Sequence, residues 1–173
     1  MMQKRAGKGV LGIVMLLALT ACGSSTHQQS EPKTVEITLN AGKNCNPDRD
    51  GRAAPVQVLL FLLTNADNFN NSDYITLSTG ASPALLNDTK NQQQFILKPG
   101  ESRTIKLEAE KEIRFFGIAA AYRNIHDAQW NAVYSLPKEK PRHWYQKLIP
   151  MSDKPLKLAV TLDKLSVSIK EAN

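Results

Sequence analysis

The chain has few of the residues on which catalysis and metal binding usually depend. Its 173 residues include two cysteines and three histidines, and aromatic residues make up only 6%. With two cysteines, a framework of several disulfides is excluded. The sequence also lacks the short motifs of serine hydrolases, zinc proteases and phosphate-binding loops. It therefore predicts a protein that is not an enzyme and that binds neither a metal nor an organic cofactor.

The histidines leave one alternative open. His126 lies in a predicted turn beside Asp127, and His143 lies in a proline-rich loop. These residues would bind a metal only if the two loops met in the fold, whereas exposed loop histidines need no such coincidence. An enzyme is therefore the least favoured function.

The charges give no sign of a nucleic-acid partner. The chain has 22 basic and 16 acidic residues, and the basic residues Lys4, Arg5 and Lys8 belong to the N-terminal segment, which leaves 19 against 16. No basic run follows. We therefore expect no binding to nucleic acid.

The N-terminus has the pattern of a secretory signal. Residues 10–19 are apolar apart from Gly12 and follow the basic segment. This run is shorter than the about 20 residues needed to span a bilayer. A basic segment followed by such a run is typical of a signal peptide, which is predicted at residues 1–21.

The segment Leu19-Thr20-Ala21-Cys22 resembles the bacterial lipobox. This resemblance implies that a peptidase cuts before Cys22 after its sulfur has been diacylated; the alternative is an ordinary signal peptide that contains a cysteine. Several acyl chains on one residue anchor a protein stably to a membrane. Lipoprotein sorting then implies the outer membrane, facing the periplasm, because no acidic residue occurs at positions 23–25.

Two segments are predicted after the signal. Residues 22–33 are read as the lipidated cysteine and a flexible tether, because they are small and polar and cannot bury enough surface to fold. Residues 34–173 have the usual length of one domain. Cys45 has no partner in its own chain, so its thiol is either buried or free to form an adventitious intermolecular disulfide.

The domain alternates apolar and polar residues with the period of two that is typical of strands. About eight strands are predicted, at residues 34–40, 55–63, 93–98, 102–109, 113–122, 130–136, 156–162 and 165–170. Eight strands suffice for two packed sheets. The predicted fold class is therefore all-β, a two-sheet antiparallel β-sandwich.

Several details extend this prediction. Residues 55–63 are apolar on both faces, which indicates a central strand covered on both sides, or a buried helix. Turn signals at Pro99-Gly100 and at Asp163-Lys164 predict two hairpins. Gly117, in the middle of an apolar strand, indicates a bulge or a close backbone approach.

Residues 65–91 break the period of two. Ser72 with Asp73, and Ser82 with Pro83, are residues that typically start a helix. We therefore expect one or two short helices, inserted after the second strand and packed beside the sandwich.

The most unusual local composition lies between the first two strands, at residues 41–54. Loops longer than about a dozen residues in compact domains are usually functional or disordered, and turn formers such as Asp50-Gly51 indicate a shaped loop. The loop is predicted to bind a partner, and the alternative is a solvated connection. The candidate contact residues are Lys43, Asn44, Asn46, Asp48, Arg49, Asp50 and Arg52.

An ordered set of short motifs resembles the TssJ family, the outer-membrane lipoproteins of the bacterial type VI secretion system. Each motif alone is short, and the order in which they follow the lipobox carries the resemblance over about residues 34–170. The motifs are Asn46-Pro47, Gly51-Arg52, Pro55-Val56, Pro99-Gly100-Glu101, residues 117–123 and Trp130.

The resemblance implies a sandwich with a small helical addition and a first loop that binds the periplasmic C-terminal region of the inner-membrane component TssM. Arg52 would contact either that partner or its own domain through its planar fork of donors. Leu59 and Phe61 depart from the family pattern, which usually has an arginine and a tyrosine at these positions of the second strand.

The aromatic residues allow more than one interpretation. Trp144 and Tyr145 would form either a second contact patch or a cover over an open end of the sandwich, and Trp130 is expected to be core or half-buried scaffold. With Tyr122, these three are also the candidates for the alternative function, a periplasmic β-sandwich lipoprotein that binds a small ligand or a cell-wall sugar.

Overall fold

A computed structural model describes residues 33–138 and 154–172 of the chain. The strands are β1 (Lys33–Ala41), β2 (Val56–Leu63), β3 (Thr89–Leu97), β4 (Ser102–Ala109), β5 (Phe115–Ala120), β6 (Asn131–Ser135), β7 (Leu156–Leu162) and β8 (Val167–Glu171). They form two four-stranded sheets, with the orders β4-β1-β7-β8 and β3-β2-β5-β6. The predicted β-sandwich of eight strands is confirmed.

The pairing of β1 with β7 departs locally from the antiparallel pattern. These strands run parallel, from the pair Val35 and Leu156 to the pair Ala41 and Leu162. Parallel neighbours need a long connection, and here that connection passes through the whole second sheet. Every other pairing between the described strands is antiparallel.

The two predicted hairpins have different outcomes. β7 and β8 pair antiparallel, and in the turn between them the Asp163 amide donates to the Ser166 carbonyl at 2.8 Å, so this hairpin is confirmed. β3 and β4 belong to different sheets, so the hairpin predicted at Pro99-Gly100 is wrong. The turn is a corner between the sheets, in which the Gly100 amide, at φ 79°, donates to the Ala41 carbonyl at 3.0 Å.

The core between the sheets is built by alternating apolar residues of the strands. In β1, Val35, Ile37 and Leu39 are fully buried, whereas the residues between them are not. Facing residues of the other strands complete the core, including Val58, Leu60, Phe116, Ile118, Leu158 and Val160. Complete burial of one such side chain stabilises a fold by about 1.5–3 kcal/mol. The apolar packing between the two sheets is therefore the main source of stability.

β2 is buried on both faces, as its apolar pattern predicts. Leu59, Phe61 and Leu63 point away from the core and form a second cluster. Three short helices cover it, α1 (Asp67–Asn70), α2 (Tyr74–Thr79) and α3 (Pro83–Asp88), and they supply the buried residues Phe69, Leu77 and Leu85. None of these helices is long and apolar enough to cross a membrane.

The starts of α2 and α3 confirm the predicted caps. The Asp73 carboxylate accepts a hydrogen bond from the Thr76 amide at 2.7 Å, and the Ser82 hydroxyl accepts one from the Leu85 amide at 3.3 Å. Such caps satisfy backbone donors that a helix leaves unpaired. Three helices follow β2 in the described part of the chain, where one or two were expected, because the single turn α1 has too few residues for a helical period to show.

The helical layer covers both Leu59 and Phe61. Leu59 is 0% exposed and Phe61 is 1% exposed. The Phe69 ring of α1 packs edge-on against the Phe61 ring, with 5.2 Å between the centroids. Apolar side chains at these positions are therefore packing partners for the helices.

Gly117 provides the space for this contact. It pairs with Phe61 across β2 and β5, and a Cβ atom added to it would lie 3.2 Å from both Leu63 Cδ1 and the Phe69 ring. This distance is shorter than ordinary van der Waals contact between carbons. The sequence predicted a bulge or a close backbone approach here; the structure shows regular pairing of Gly117 with Phe61 and a close approach of two side chains.

Different strand ends, loops and turns lie at the two ends of the sandwich. At one end, the Lys33 end, β1 and β7 begin and β4 and β6 finish. At the other, the loop end, lie the β1–β2 connection, the β3–β4 corner and the β7–β8 turn. With about 3.3 Å per residue, the nine residues of β1 separate the two ends by roughly 25–30 Å.

Replacement of Gly117 by alanine is predicted to destabilise the domain by about 1–2 kcal/mol, because the new methyl group overpacks the Phe69 contact. Urea unfolding followed by circular dichroism measures this change. In a Phe69→Leu background the same substitution should cost less, since the ring that it meets is gone. Equal costs in the two backgrounds would show that Phe69 is not the cause.

Candidate functional site

The β1–β2 loop, residues 42–55, corresponds to the loop predicted at 41–54 and lies at the loop end. Its base is bonded to the neighbouring turn. The Gly42 amide donates to the Leu162 carbonyl at 2.8 Å, and the Asn46 amide donates to the Lys164 carbonyl at 3.1 Å. The Ala54 amide closes the loop by donating to the Cys45 carbonyl at 3.2 Å.

Asn46 holds the base of the loop through its side chain. Its Nδ2 donates to the Pro55 carbonyl at 2.7 Å, and its Oδ1 accepts from the Arg123 amide at 2.7 Å. The residue is 2% exposed and has φ 49°, a conformation that asparagine tolerates better than most residues. Asn46 therefore differs from the other predicted contact residues, because its amide is buried and used within the domain.

Cys45 is the buried neighbour of this clamp. It is 0% exposed, belongs to the sandwich core and places its Sγ 3.8 Å from the Ala54 carbonyl oxygen. Burial raises the pKa of the thiol. Of the two alternatives for this cysteine, the structure supports the buried one.

The tip of the loop, residues 48–52, is braced by the carboxylate of Asp48. Its Oδ1 accepts hydrogen bonds from the amides of Asp50 and Arg52, both at 2.9 Å, and its Oδ2 accepts one from Arg52 Nε at 3.1 Å. The bond from the Arg52 amide is the main reason that the pKa of Asp48 is lowered. Gly51, at φ 80°, provides the left-handed turn that this compact arrangement requires.

Arg52 braces its own loop and is exposed at the same time. Its guanidinium bonds to Asp48 through Nε and to Asp50 through Nη2. The side chain is nevertheless 75% exposed. Exposed ion pairs of this kind contribute only about 0–1 kcal/mol each, so they order the tip and leave donors available to a partner.

The remaining candidates are arranged around this tip. Lys43, Asn44 and Arg49 are exposed. Within residues 33–138 and 154–172, Arg49 forms no ion pair. The exposed candidates therefore combine an ordered backbone with cationic side chains, an arrangement suited to carboxylates or carbonyl oxygens on a protein surface.

Tyr122 supports the loop end, a role that the sequence pattern did not indicate. It is 3% exposed, and its hydroxyl donates to the Ser166 carbonyl at 2.6 Å in the β7–β8 turn. Burial raises the pKa of this phenol. Trp130 is half-buried and packs edge-on against Tyr74 at 6.0 Å, as expected for scaffold. Cys22, His143, Trp144 and Tyr145 lie outside the described residues.

The alternative functions would need a pocket lined by aromatic residues or a cluster of metal ligands. One shallow cleft lies at the Lys33 end and another beside the β3–β4 corner, and neither is lined by an aromatic residue. His126 is exposed. Across residues 33–138 and 154–172, no three histidine, cysteine or acidic residues lie together as a metal site would require.

Comparison with known proteins places the chain in a family. The family T6SS-SciN, described as type VI secretion lipoprotein with the names VasD, EvfM and TssJ, matches residues 33–164. The T6SS lipoprotein TssJ1 from Pseudomonas aeruginosa is 30% identical, with a TM-score of 0.70, over 82% of this chain and 98% of that chain. No curated protein sequence matches.

Two further solved structures share the fold. Serratia marcescens Lip, described as a membrane-bound component of the type VI secretion system, is 20% identical, with a TM-score of 0.70, over 82% of this chain and 99% of that chain. A chain in a structure described as the TssM C-terminal domain from EAEC is 20% identical, with a TM-score of 0.60, over 79% and 99%. From the family match and the similarity to TssJ1, the chain belongs to the TssJ family of type VI secretion lipoproteins.

Proposed function

We propose that the chain is an outer-membrane-anchored scaffold of the type VI secretion membrane complex, and that it binds the periplasmic C-terminal region of TssM through the tip of the β1–β2 loop. The observation that carries the proposal is the braced tip, in which Asp48 and Arg52 hold an exposed, charged loop in one conformation. A loop ordered before binding loses less conformational entropy on association than a floppy one.

The choice of partner rests on the family. The chain is a type VI secretion lipoprotein, and the resemblance set out above links the first loop of such proteins to TssM. The occurrence of the same fold in a structure described as the TssM C-terminal domain supports the link. In this chain the exposed candidates for contact are Lys43, Asn44, Arg49, Asp50 and Arg52.

The position of the loop supports a bridging role. The proposed lipid at Cys22 precedes Lys33 by eleven residues, a distance of at most about 40 Å when extended. The proposed tether joins the domain at Lys33, the first residue of β1, whereas the β1–β2 loop follows the other end of this strand. A domain held in this way can present its loop away from the membrane that anchors it.

Substitution of both exposed arginines of the tip, Arg49→Ala with Arg52→Ala, is predicted to weaken binding to the TssM periplasmic region at least about tenfold, because arginines are enriched among interface hot spots. Isothermal titration calorimetry with the two purified proteins measures the affinity. The matched control is Lys98→Ala with Lys164→Ala, which removes two exposed cations from the same end and should leave the affinity within about twofold. Equal affinities for the two double variants would place the interface elsewhere.

Asp48→Ala is predicted to loosen the tip and weaken the binding to the TssM periplasmic region, because the amides of Asp50 and Arg52 lose their acceptor.

The lowered pKa of Asp48 gives a second test. The stabilisation by the carboxylate is complete above its ordinary pKa of 3.8 and is lost as the pH falls through the lower folded value. In NMR spectra the two amides should therefore shift with a midpoint below 3.8. A midpoint at or above 3.8 would contradict the bracing role, and Asp48→Asn, which cannot titrate, should lack the transition.

Cys22→Ser is predicted to release the protein from the membrane fraction and to stop secretion, because the acyl chains have lost their attachment site. Cell fractionation followed by a secretion assay measures both effects. The unchanged circular dichroism of the purified domain serves as the control for folding. Secretion at the normal level by a released protein would show that the anchor is dispensable.

A further inference from the structure

The strand β3 lies at an open edge of the sandwich. It is the first strand in the order β3-β2-β5-β6, so β2 is its one neighbour among the described strands. At the opposite flank the two sheets are linked, because the backbone of Gln129, just before β6, bonds to Leu165 and to Val167 at 2.9 Å each. β3 and β4, which face each other across the near flank, do not pair.

The backbone of β3 presents a row of hydrogen-bonding groups on this edge. The carbonyls of Gln57 and Leu63 accept hydrogen bonds from amides that flank β5, at 2.8 and 2.9 Å, so the odd-numbered residues of β2 bond toward β5. The even-numbered residues then bond toward β3, where the register pairs them with the odd-numbered residues of 91–97. The residues whose N–H and C=O point out of the sheet are therefore Gln92, Gln94 and Ile96.

The chemistry of this edge leaves it open to another strand. Residues 91–97 contain no proline and no charged residue, and the Ile96 side chain is 60% exposed. The edge strand β4 differs, because it carries the exposed charges of Arg103, Lys106 and Glu108. Prolines and charged side chains are the usual protection of an edge against pairing with another chain, and β3 lacks both over these seven positions.

The edge is continuous with the β1–β2 loop. β3 ends at the β3–β4 corner, where the Gly100 amide donates to the Ala41 carbonyl at 3.0 Å. A Cβ atom added to Gly100 would lie 3.6 Å from Cγ of Lys43, one of the proposed contact residues. Ile96 and Pro55, the last residue of the loop, line the same shallow cleft. A partner bound to the loop therefore lies directly beside the end of β3.

The size of the loop also indicates that its partner reaches further. Five exposed candidates were proposed to contact TssM, at the tip of the loop and its base. A stable interface of standard size buries about 800 Å² on each partner and involves roughly 20–30 residues a side. The contact must therefore continue on a neighbouring surface, and the edge of β3 is a neighbour that offers backbone groups still without a partner strand.

We propose that an extended segment of the TssM periplasmic region adds to β3 as a further strand of its sheet. The proposal rests on the proposed contact of the β1–β2 loop with TssM and extends that contact along the domain. Main-chain hydrogen bonds to Gln92, Gln94 and Ile96 hold the segment, as in other cases of strand addition. An apolar side chain of the segment packs on Ile96 in the cleft, and the absence of charge along β3 favours an uncharged segment.

The test is amide hydrogen exchange of the full purified chain in detergent, measured residue by residue with and without a saturating TssM periplasmic region. Strand addition predicts an alternating pattern, because the amides of Gln93 and Phe95 already bond to β2 whereas those of the outward residues do not. We expect TssM to slow exchange at least about tenfold at Gln92, Gln94 and Ile96. Exchange at Thr104, on the edge strand β4, should stay unchanged.

A pair of matched variants tests the contribution to affinity. Gln94→Pro removes one outward donor and keeps the bonds to β2, since proline is tolerated where the N–H faces solvent on an edge strand. Calorimetry should show binding to TssM weakened at least about fivefold. The control Thr104→Pro removes an outward donor from β4, where the odd-numbered residues bond to β1, and should leave the affinity within about twofold. Circular dichroism verifies the folding of both variants.

Three results would overturn the proposal. These are unchanged exchange at the outward amides when TssM is bound, equal losses of affinity in the two proline variants, and slow exchange that appears without TssM as the protein concentration rises, which would assign the edge to a second copy. Failure of the loop contact is distinguishable, because the variant with Arg49→Ala and Arg52→Ala would then bind TssM normally. If only the edge proposal fails, that variant stays impaired and Gln94→Pro binds as tightly as the unchanged chain.

Discussion

The burial of β2 on both faces is the constraint on which the rest of the structure depends. One face supplies Val58 and Leu60 to the core between the sheets, and the other carries Leu59 and Phe61. A sandwich of two sheets can cover only the first of these faces. The short helices after β2 cover the second, and Gly117 allows them to approach closely enough. The helical insert is therefore a consequence of the composition of one strand. The apolar surface that the insert buries offsets the cost of ordering its additional residues.

The same strand also gives the β1–β2 loop a fixed base. β2 begins directly after Pro55, whose carbonyl accepts a hydrogen bond from the Asn46 amide group. The carbonyl oxygen of the same side chain accepts a hydrogen bond from the Arg123 backbone amide, just after β5. Tyr122 then bonds to the turn between β7 and β8. The loop is consequently tied to both sheets at its base and braced within itself at its tip, which allows an exposed, polar segment to keep one shape.

Patterns in the sequence predicted those features that depend on near neighbours along the chain. The period of two located the strands, and the residues Asp73 and Ser82 located two helix starts, because caps and alternation are local properties. Features that depend on distant residues were not accessible. Pro99-Gly100 indicates a turn but cannot specify that the next strand joins the other sheet. The sequence pattern groups Asn46 with the contact residues, because the Arg123 amide that bonds to its side chain lies 77 positions further along the chain. For the β1–β2 loop, composition predicted its extent, and only the fold separates its buried clamp from its exposed tip.

The tip of the β1–β2 loop shows how an exposed segment rich in charged residues keeps one conformation. Its two carboxylates bond to the Arg52 guanidinium, so the charges of the tip are partly compensated within the loop itself. Exposed ion pairs of this kind are individually weak and are screened by salt. The two backbone amides that donate to the Asp48 carboxylate hold the turn at close range in addition. A loop held in this way keeps its donors in one arrangement, which is the property that the proposed contact with TssM requires.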